Sequence, residues 1–290
     1  YSTEGSSQCI RAMLHLALQM QPAGASRPVL LAARNAHKAL LYAAALLDFD
    51  IRWLWPAPDA AGALCTCPVE PEALACALDG LTAEGHTPFG VYLTSPDYLG
   101  FVQDVAGLSA VCHAHGLPLL VDNAHGAYLH FLKEGSRHPI QLGADLCCDS
   151  AHKTLPAMGQ AALLFTNGID PGQVRRTAAI YGTSSPSYPI LASLDTAREW
   201  LEGPGAGEYG RVARRTAALR CRFPSLCPPL PLDPTRFTLK VKNGPAFTGQ
   251  LESRCNIWPE MEDGGHVVFI LTACDGEEVL DRLESVLEGM

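Results

Sequence analysis

The chain has 290 residues, 48% of them hydrophobic and 18% charged, with a formal net charge of -9. That length accommodates one large domain, or one large and one small, around a substantial core, and the composition suits a soluble protein. No basic block interleaved with aromatics occurs, which argues against nucleic acid, and no apolar run approaches the roughly 20 residues that cross a bilayer.

Apolar runs alternate with amphipathic stretches along the chain. Residues 7–21 read as a helix whose apolar positions are Ile10, Met13, Leu14, Ala17 and Leu18. A buried strand at 29–33, a helix at 36–47 and a strand at 51–55 follow. Residues 71–84 read as a helix with Pro71 in its first turn, where the missing N–H costs nothing. A strand is expected at 89–93 and a helix at 101–115 that stops at Gly116. Further strands fall at 119–121, 146–148 and 161–165, and helices at 171–179 and 190–201. Gly203-Pro204-Gly205-Ala206-Gly207 reads as a breaker before a helix at 208–222.

The Pro-rich stretch 223–234 reads as a hinge. Beyond it the pattern is strand (237–242), helix (246–255), strand (266–272) and helix (276–287). The expected fold class is α/β: a mostly parallel sheet flanked by helices over residues 1–222, with a small C-terminal α/β domain over 223–290.

Eleven cysteines are scattered without a Cys-x-x-Cys pair, several of them inside apolar runs. That pattern suits reduced thiols in the cytoplasm. Cys65-x-Cys67 could form a metal or redox pair, but it lies in a Pro-rich loop without nearby histidine, and no metal site is expected.

The most informative segments are two. Leu117-Pro118-Leu119-Leu120-Val121 ends in Asp122-Asn123-Ala124-His125-Gly126, and Ala144-Asp145-Leu146-Cys147-Cys148 leads into Ser150-Ala151-His152-Lys153-Thr154-Leu155-Pro156. Two buried strands that bring an aspartate and a lysine to one sheet edge supply what pyridoxal 5'-phosphate requires. The amine takes the cofactor aldehyde, and the carboxyl keeps the pyridine nitrogen protonated. Taken singly, Lys153 also reads as a surface lysine and Asp122 as a turn cap.

These segments resemble the Orn/Lys/Arg decarboxylase family of the aspartate-aminotransferase fold (pyridoxal fold type I). Gly5-Ser6-Ser7, Arg34-Asn35-Ala36-His37-Lys38, Thr94-Ser95-Pro96-Asp97-Tyr98-Leu99-Gly100, Thr183 to Tyr188 and Asp233-Pro234-Thr235-Arg236 fall in family order with them. The resemblance implies that Lys153 is the Schiff-base lysine, Asp122 the pyridinium partner and His37 the residue covering the ring. Ala124 would leave room for the ring, while Ser6, Ser7, Ser150 and His152 would hold the phosphate. Ser6 and Ser7 open a helix, where free N–H groups and the dipole favour an anion, although serine there is also an ordinary N-cap. His125 and Glu260 would lie on the substrate side, Glu260 toward a distal cation; Glu260 also reads as a surface acid.

Thr183 and Ser184 would approach the phosphate of a partner subunit, which implies a homodimer or larger homo-oligomer with a shared site. The implied reaction is decarboxylation of lysine, arginine or ornithine to a polyamine precursor. The alternatives are an aminotransferase or lyase of the same fold, with Arg236 or Arg254 as a carboxylate clamp, or a catalytically silent homologue serving as a subunit. The family block usually reads Asp-Glu-Ala-His-Gly, and Asn123 replaces its acid. That predicts a charge lost near the site and a shifted substrate choice. The chain enters the phosphate loop directly after Tyr1, where a strand normally precedes it, which predicts an N-terminally incomplete large domain.

Overall fold

The computed structural model describes residues 1–21, 27–56, 65–132, 137–227 and 231–290. The first part runs α1 (Ser6–Gln19), β1 (Val29–Ala33), α2 (Lys38–Leu47), β2 (Asp50–Leu54), α3 (Pro71–Ala83), β3 (Val91–Thr94) and α4 (Val105–Ala114). It continues with β4 (Leu119–Asp122), β5 (Leu146–Asp149), the single turn α5 (Ala151–Thr154), β6 (Leu163–Thr166), α6 (Pro171–Ile180), α7 (Tyr188–Trp200) and α8 (Ala206–Arg222). The C-terminal part is β7 (Arg236–Lys240), α9 (Gly244–Cys255), β8 (Met261–Glu262), β9 (His266–Ile270) and α10 (Glu277–Glu288).

Six strands form one sheet in the order β2-β1-β3-β4-β5-β6. All neighbours are parallel except β5 and β6, which are antiparallel. Side chains alternate across a strand, and here both faces are covered. Leu30, Ala32, Tyr92, Leu120, Leu146 and Cys148 pack with α1 and α2. Leu31, Ala33, Val91, Leu93, Leu119, Val121 and Cys147 pack with α3 and α4. Burial on two faces is why β1, β3, β4 and β5 read as continuous apolar runs. α1 is held by the fully buried Met13, Leu14 and Leu16; cutting one of these back to alanine would cost about 2–5 kcal/mol.

Several boundaries differ from the sequence expectation, each for a local reason. The helix predicted from residue 101 starts at Val105, capped by the Asp104 side chain, which accepts from Gly107 N at 3.1 Å. The residues before it are held elsewhere: Val102 N donates to Pro231 O at 2.8 Å, and Gln103 N to Ser95 Oγ at 3.1 Å. The expected breaker at 203–207 is instead one wide turn, Leu201–Gly205, that feeds directly into α8. Gly203 absorbs the kink there with φ -100° and ψ -116°. At Gly205 the Trp200 ring occupies the space a Cβ would need. The two-residue strand β8 went unread, being too short for any period to show.

β7, β9 and β8 form a separate antiparallel sheet in that order, packed on α9 and α10 through Phe237, Leu251, Val267, Leu280 and Leu283. Of the Pro-rich stretch 223–234, residues 228–230 lie outside the described residues. The chain from Asp233 to Thr238 docks on the loops that follow β3 and β4 by polar bonds. Tyr128 Oη donates to Asp233 Oδ1, Asp233 N donates to Gly100 O at 2.7 Å, Arg236 Nη1 donates to Tyr98 O at 2.9 Å, and Thr238 Oγ1 donates to Leu99 O at 2.8 Å. Among the described residues no helix is long and apolar enough to cross a membrane.

Candidate active site

β3, β4 and β5 end within one residue of one another, Thr94 opposite Asp122 and Asp122 opposite Cys148. A parallel sheet directs the loops after its strands to one edge, where ligands of open α/β folds bind. Here those loops carry Asn35 and His37 after β1, Asp97 and Tyr98 after β3, Ala124 and His125 after β4, and Lys153 after β5. Together with Ser6, Thr94 and Asp122 they line one cleft. Lys153 and Asp122 therefore face the same space.

Asp122 is 2% exposed and lies on the α1 side of the sheet, two residues beyond Leu120. Its Oδ2 accepts from Tyr92 Oη at 3.1 Å, and its Oδ1 from Ala124 N at 3.1 Å and Cys148 Sγ at 3.6 Å. Lys153 Nζ lies 3.2 Å from His125 Nε2 and 5.8 Å from the centre of the Tyr98 ring. Burial lowers the Lys153 pKa; the Arg236 charge adds to this, and Asp122 and Glu260 oppose it. Burial also takes His125 well below its usual range, followed by the charges of Arg236 and Lys153. A neutral His125 thus faces Lys153 through Nε2. His37 caps α2, its Nδ1 accepting from Ala39 N at 3.2 Å, and it lines the cleft as well. Burial lowers its pKa too.

The phosphate candidates meet in part. Gly5 precedes α1 with φ 79°, a left-handed conformation suited to glycine, and no side chain caps the helix. Ser150 Oγ, fully buried, donates to Ser6 Oγ at 2.8 Å. Ser7 sits in the same first turn, half-buried. His152 turns its Nδ1 to Ala161 O at 3.0 Å, which fixes the ring. Thr183 and Ser184 are exposed and do not line the cleft; Thr183 N donates to Glu4 Oε1 at 2.5 Å. Glu260 is exposed and borders a different groove with Ile257 and Trp258, although its charge still reaches Lys153 and Tyr98.

Four cleft residues carry no role in the sequence reading: Asn35, Thr94, Asp97 and Tyr98. Asn35, Tyr98 and their neighbours stood inside recognisable blocks, and only the sheet order shows that they converge. Tyr92, the partner of Asp122, gave no signal at all across thirty residues. Asn123 is a correction of emphasis. It does not line the cleft; its Nδ2 donates to Asp149 Oδ1 at 2.7 Å on the opposite side of the sheet.

The cleft also holds buried polar atoms that have no hydrogen-bond partner among the described residues: both side-chain atoms of Asn35, Thr94 Oγ1, Asp97 Oδ2 and His125 Nδ1. Native interiors seldom leave such groups unmet, so the donor set fits a polar group seated among them. A buried carboxyl, an amine and a helix start without a side-chain cap, gathered in one cleft, are the group types that suit the ring nitrogen, aldehyde and phosphate of pyridoxal 5'-phosphate.

The family model for the major domain of Orn/Lys/Arg decarboxylases matches residues 1–223. The chain is 34% identical over 260 residues to the uncharacterised protein YaaO of Bacillus subtilis (strain 168), covering 83% of this chain and 52% of that protein. It is 25% identical over 310 residues to an arginine decarboxylase of Halalkalibacterium halodurans, covering 100% of this chain and 61% of that protein. The chain thus spans about half the length of the first of these relatives and somewhat more of the second. The structure of the constitutive lysine decarboxylase of Escherichia coli superposes with a TM-score of 0.79 at 20% identity, over 99% of this chain and 48% of that one, a likeness of fold. Sequence blocks, sheet order and family match agree, and the chain belongs to the Orn/Lys/Arg decarboxylase family, whose members have pyridoxal fold type I and depend on pyridoxal 5'-phosphate.

Proposed function

We propose that this chain carries the cofactor site of an enzyme that decarboxylates a basic amino acid, lysine, arginine or ornithine, to the corresponding amine and CO2. One observation carries the reading: Lys153 and Asp122 line a single cleft in which Asn35, Thr94 Oγ1, Asp97 Oδ2 and His125 Nδ1 have no hydrogen-bond partner among the described residues. The arginine and lysine decarboxylases among the relatives support the substrate class.

When bound, pyridoxal phosphate supplies an aldehyde that condenses with amines and a cationic ring that accepts the electron pair of a breaking bond. The residues of the chain would do the rest. Burial favours the uncharged amine of Lys153, the form that attacks a carbonyl. His125 Nε2 lies within hydrogen-bond distance of it, 3.2 Å, and so aims it. Asp122, fixed by Tyr92 and the Ala124 amide, would hold the ring N–H; a carboxylate beside a cation keeps both charged. His37 and Ala124 would bound the ring, and Ser6, Ser7, Ser150 and His152 the phosphate. His125 would lie toward the substrate, while Glu260, in its own groove, would act on the cleft only through its charge.

Aminotransferases must keep the substrate carboxylate and clamp it with arginine. Arg236 is fully buried, gives Nη1 to Tyr98 O and is not among the residues lining the cleft. Arg254 is exposed on α9. Neither favours a clamp, which leaves decarboxylation as the better reading. The division into a large unit to residue 222 and a small unit from 223, homodimerisation and cytoplasmic residence belong to the same proposal. The exposed apolar face of α2, with Leu41, Tyr42 and Leu46, supports an association of copies. Eleven free cysteines support a reducing compartment.

The test is CO2 release from labelled lysine, arginine and ornithine with added cofactor. Release from one of them that is lost in Lys153→Ala supports the reading. Amino-group exchange with a keto acid and no CO2 would replace it with the aminotransferase.

A further inference from the structure

One residue beyond Asp122 the chain changes faces. Asn123 follows Val121 on the α4 side, and Asp149 follows Cys147 on that same side. Because Asp122 stands opposite Cys148 in register, Asn123 and Asp149 come out as neighbours. Asn123, 0% exposed, donates Nδ2 to Asp149 Oδ1 at 2.7 Å, and its own backbone N donates to Cys148 O at 2.9 Å. Asp149, 1% exposed, takes His138 Nε2 on its other oxygen at 3.0 Å. Ile140 N donates to His138 Nδ1 at 3.4 Å, and Nε2 is the nitrogen that meets Asp149. Each contact in this series joins one donor to one acceptor.

His138, Cys147 and Asp149 also present ligand atoms within 4.8 Å of one another. The Asn123 amide, however, points an N–H at the same carboxyl, and its other oxygen already receives the histidine. The geometry is that of a hydrogen-bonded chain.

We infer that Asn123, Asp149 and His138 form a positioning clamp, which locks the segment carrying Asp122 and His125 to the segment carrying Ser150 and Lys153. The inference rests on the proposed cofactor site. It also reassigns the departure at Asn123: the amide is one half of a buried amide–carboxyl pair behind the site, not a charge removed from it. The acid usual at that position would face Asp149 carboxyl to carboxyl, with no donor between them. An exchange of the two groups would restore the bond between positions 123 and 149 and the bond from His138, and would lose only the weak Cys147 thiol contact to Oδ1 at 3.6 Å. The amide moved to position 149 would donate its N–H to the carboxylate moved to position 123, and its oxygen would accept from His138 Nε2.

The experiment compares Asn123→Asp, Asp149→Asn and the double variant on the full 290-residue chain. It reads pyridoxal phosphate affinity, the pH midpoint of the visible cofactor–lysine band, and amide hydrogen exchange of the cofactor-free chain around 122–126 and 149–153. Each single variant is expected to weaken cofactor affinity by about tenfold or more, the effect of one buried polar group facing the wrong partner. The pH midpoint should move and exchange at both segments should rise. The double variant should return to within about threefold of the parent, a strong non-additivity. Losses that simply add in the double variant would overturn the clamp. So would single variants that melt lower yet keep the parent affinity and pH midpoint, since the chain would then be packing alone. If the parent binds no cofactor, the proposed function fails, while the exchange pattern still decides the clamp: protection lost in both singles and regained in the double supports it, and any other pattern rejects it.

Discussion

Two carboxyls end adjacent parallel strands, and they live in different environments. Asp122 closes β4 on the α1 side, held by Tyr92 and the Ala124 amide, and opens onto the cleft with Lys153. Asp149 closes β5 on the α4 side, held by Asn123 and His138. Both are buried to within 2%, and both have partners on each oxygen. Parity along the strand separates them. One position places an acid where a ligand can meet it, and the alternate position places an acid where it braces the edge. A sheet edge can therefore carry chemistry on one face and its support on the other, at residues next to each other in space.

The comparison breaks most sharply at the cleft. Lys153→Ala should cut decarboxylation by roughly 10³-fold or more, as removal of a nucleophile does, with little change in melting temperature. Survival of activity would remove the lysine from its role. Asp122→Asn should lower kcat by about 10²-fold or more, since the residue would no longer stabilise a cation in a buried site; the cofactor should still be retained measurably. Asp149→Ala should show the reverse balance. It removes the acceptor of the Asn123 amide and of His138 Nε2, and should cost about 2–5 kcal/mol of stability by denaturant titration. Equal effects of the Asp122 and Asp149 substitutions on kcat and on stability would erase the distinction drawn here.

Smaller effects arise from charge. Burial raises the Asp97 carboxyl, the third acid at this edge, from 3.8 to about 6. Its folded form holds a proton more tightly than the unfolded chain between those values, so stability falls as pH rises through that window. Asp97→Asn should flatten that decline in thermal melts taken from about pH 4 to about pH 7. The smallest effect concerns Glu260, whose charge favours the ammonium of Lys153. Cofactor uptake should rise as pH passes upward through a Lys153 midpoint below the ordinary 10.5, and Glu260→Gln should move that midpoint further down. An unmoved midpoint would confine Glu260 to its own surface groove.

Much of this was legible in the sequence, and the reason is local. The apolar runs of a sheet buried on both faces mark the strands, and Asp122 and Lys153 stand right at the ends of two of them. Their convergence needed only that the strands be parallel neighbours. What was illegible depends on register and on distant partners. Tyr92 meets Asp122 because β3 and β4 align Thr94 with Asp122; nothing near either residue announces it. Asn123 looked like an altered site residue, since adjacency in sequence shows its proximity to Asp122 but not the face it takes. The start of α4 at Val105 was hidden for a related reason: Val102 and Gln103 bond to distant segments, which no helical period records.

The central claim is that Lys153 and Asp122 grip one cofactor, and borohydride reduction tests it most directly. The chain is mixed with pyridoxal phosphate, reduced, digested and mapped by mass. A pyridoxyl group is expected on the peptide containing Lys153, lost in Lys153→Ala and diminished in Asp122→Ala. A label on another lysine, or no label on the unmutated chain, would contradict it.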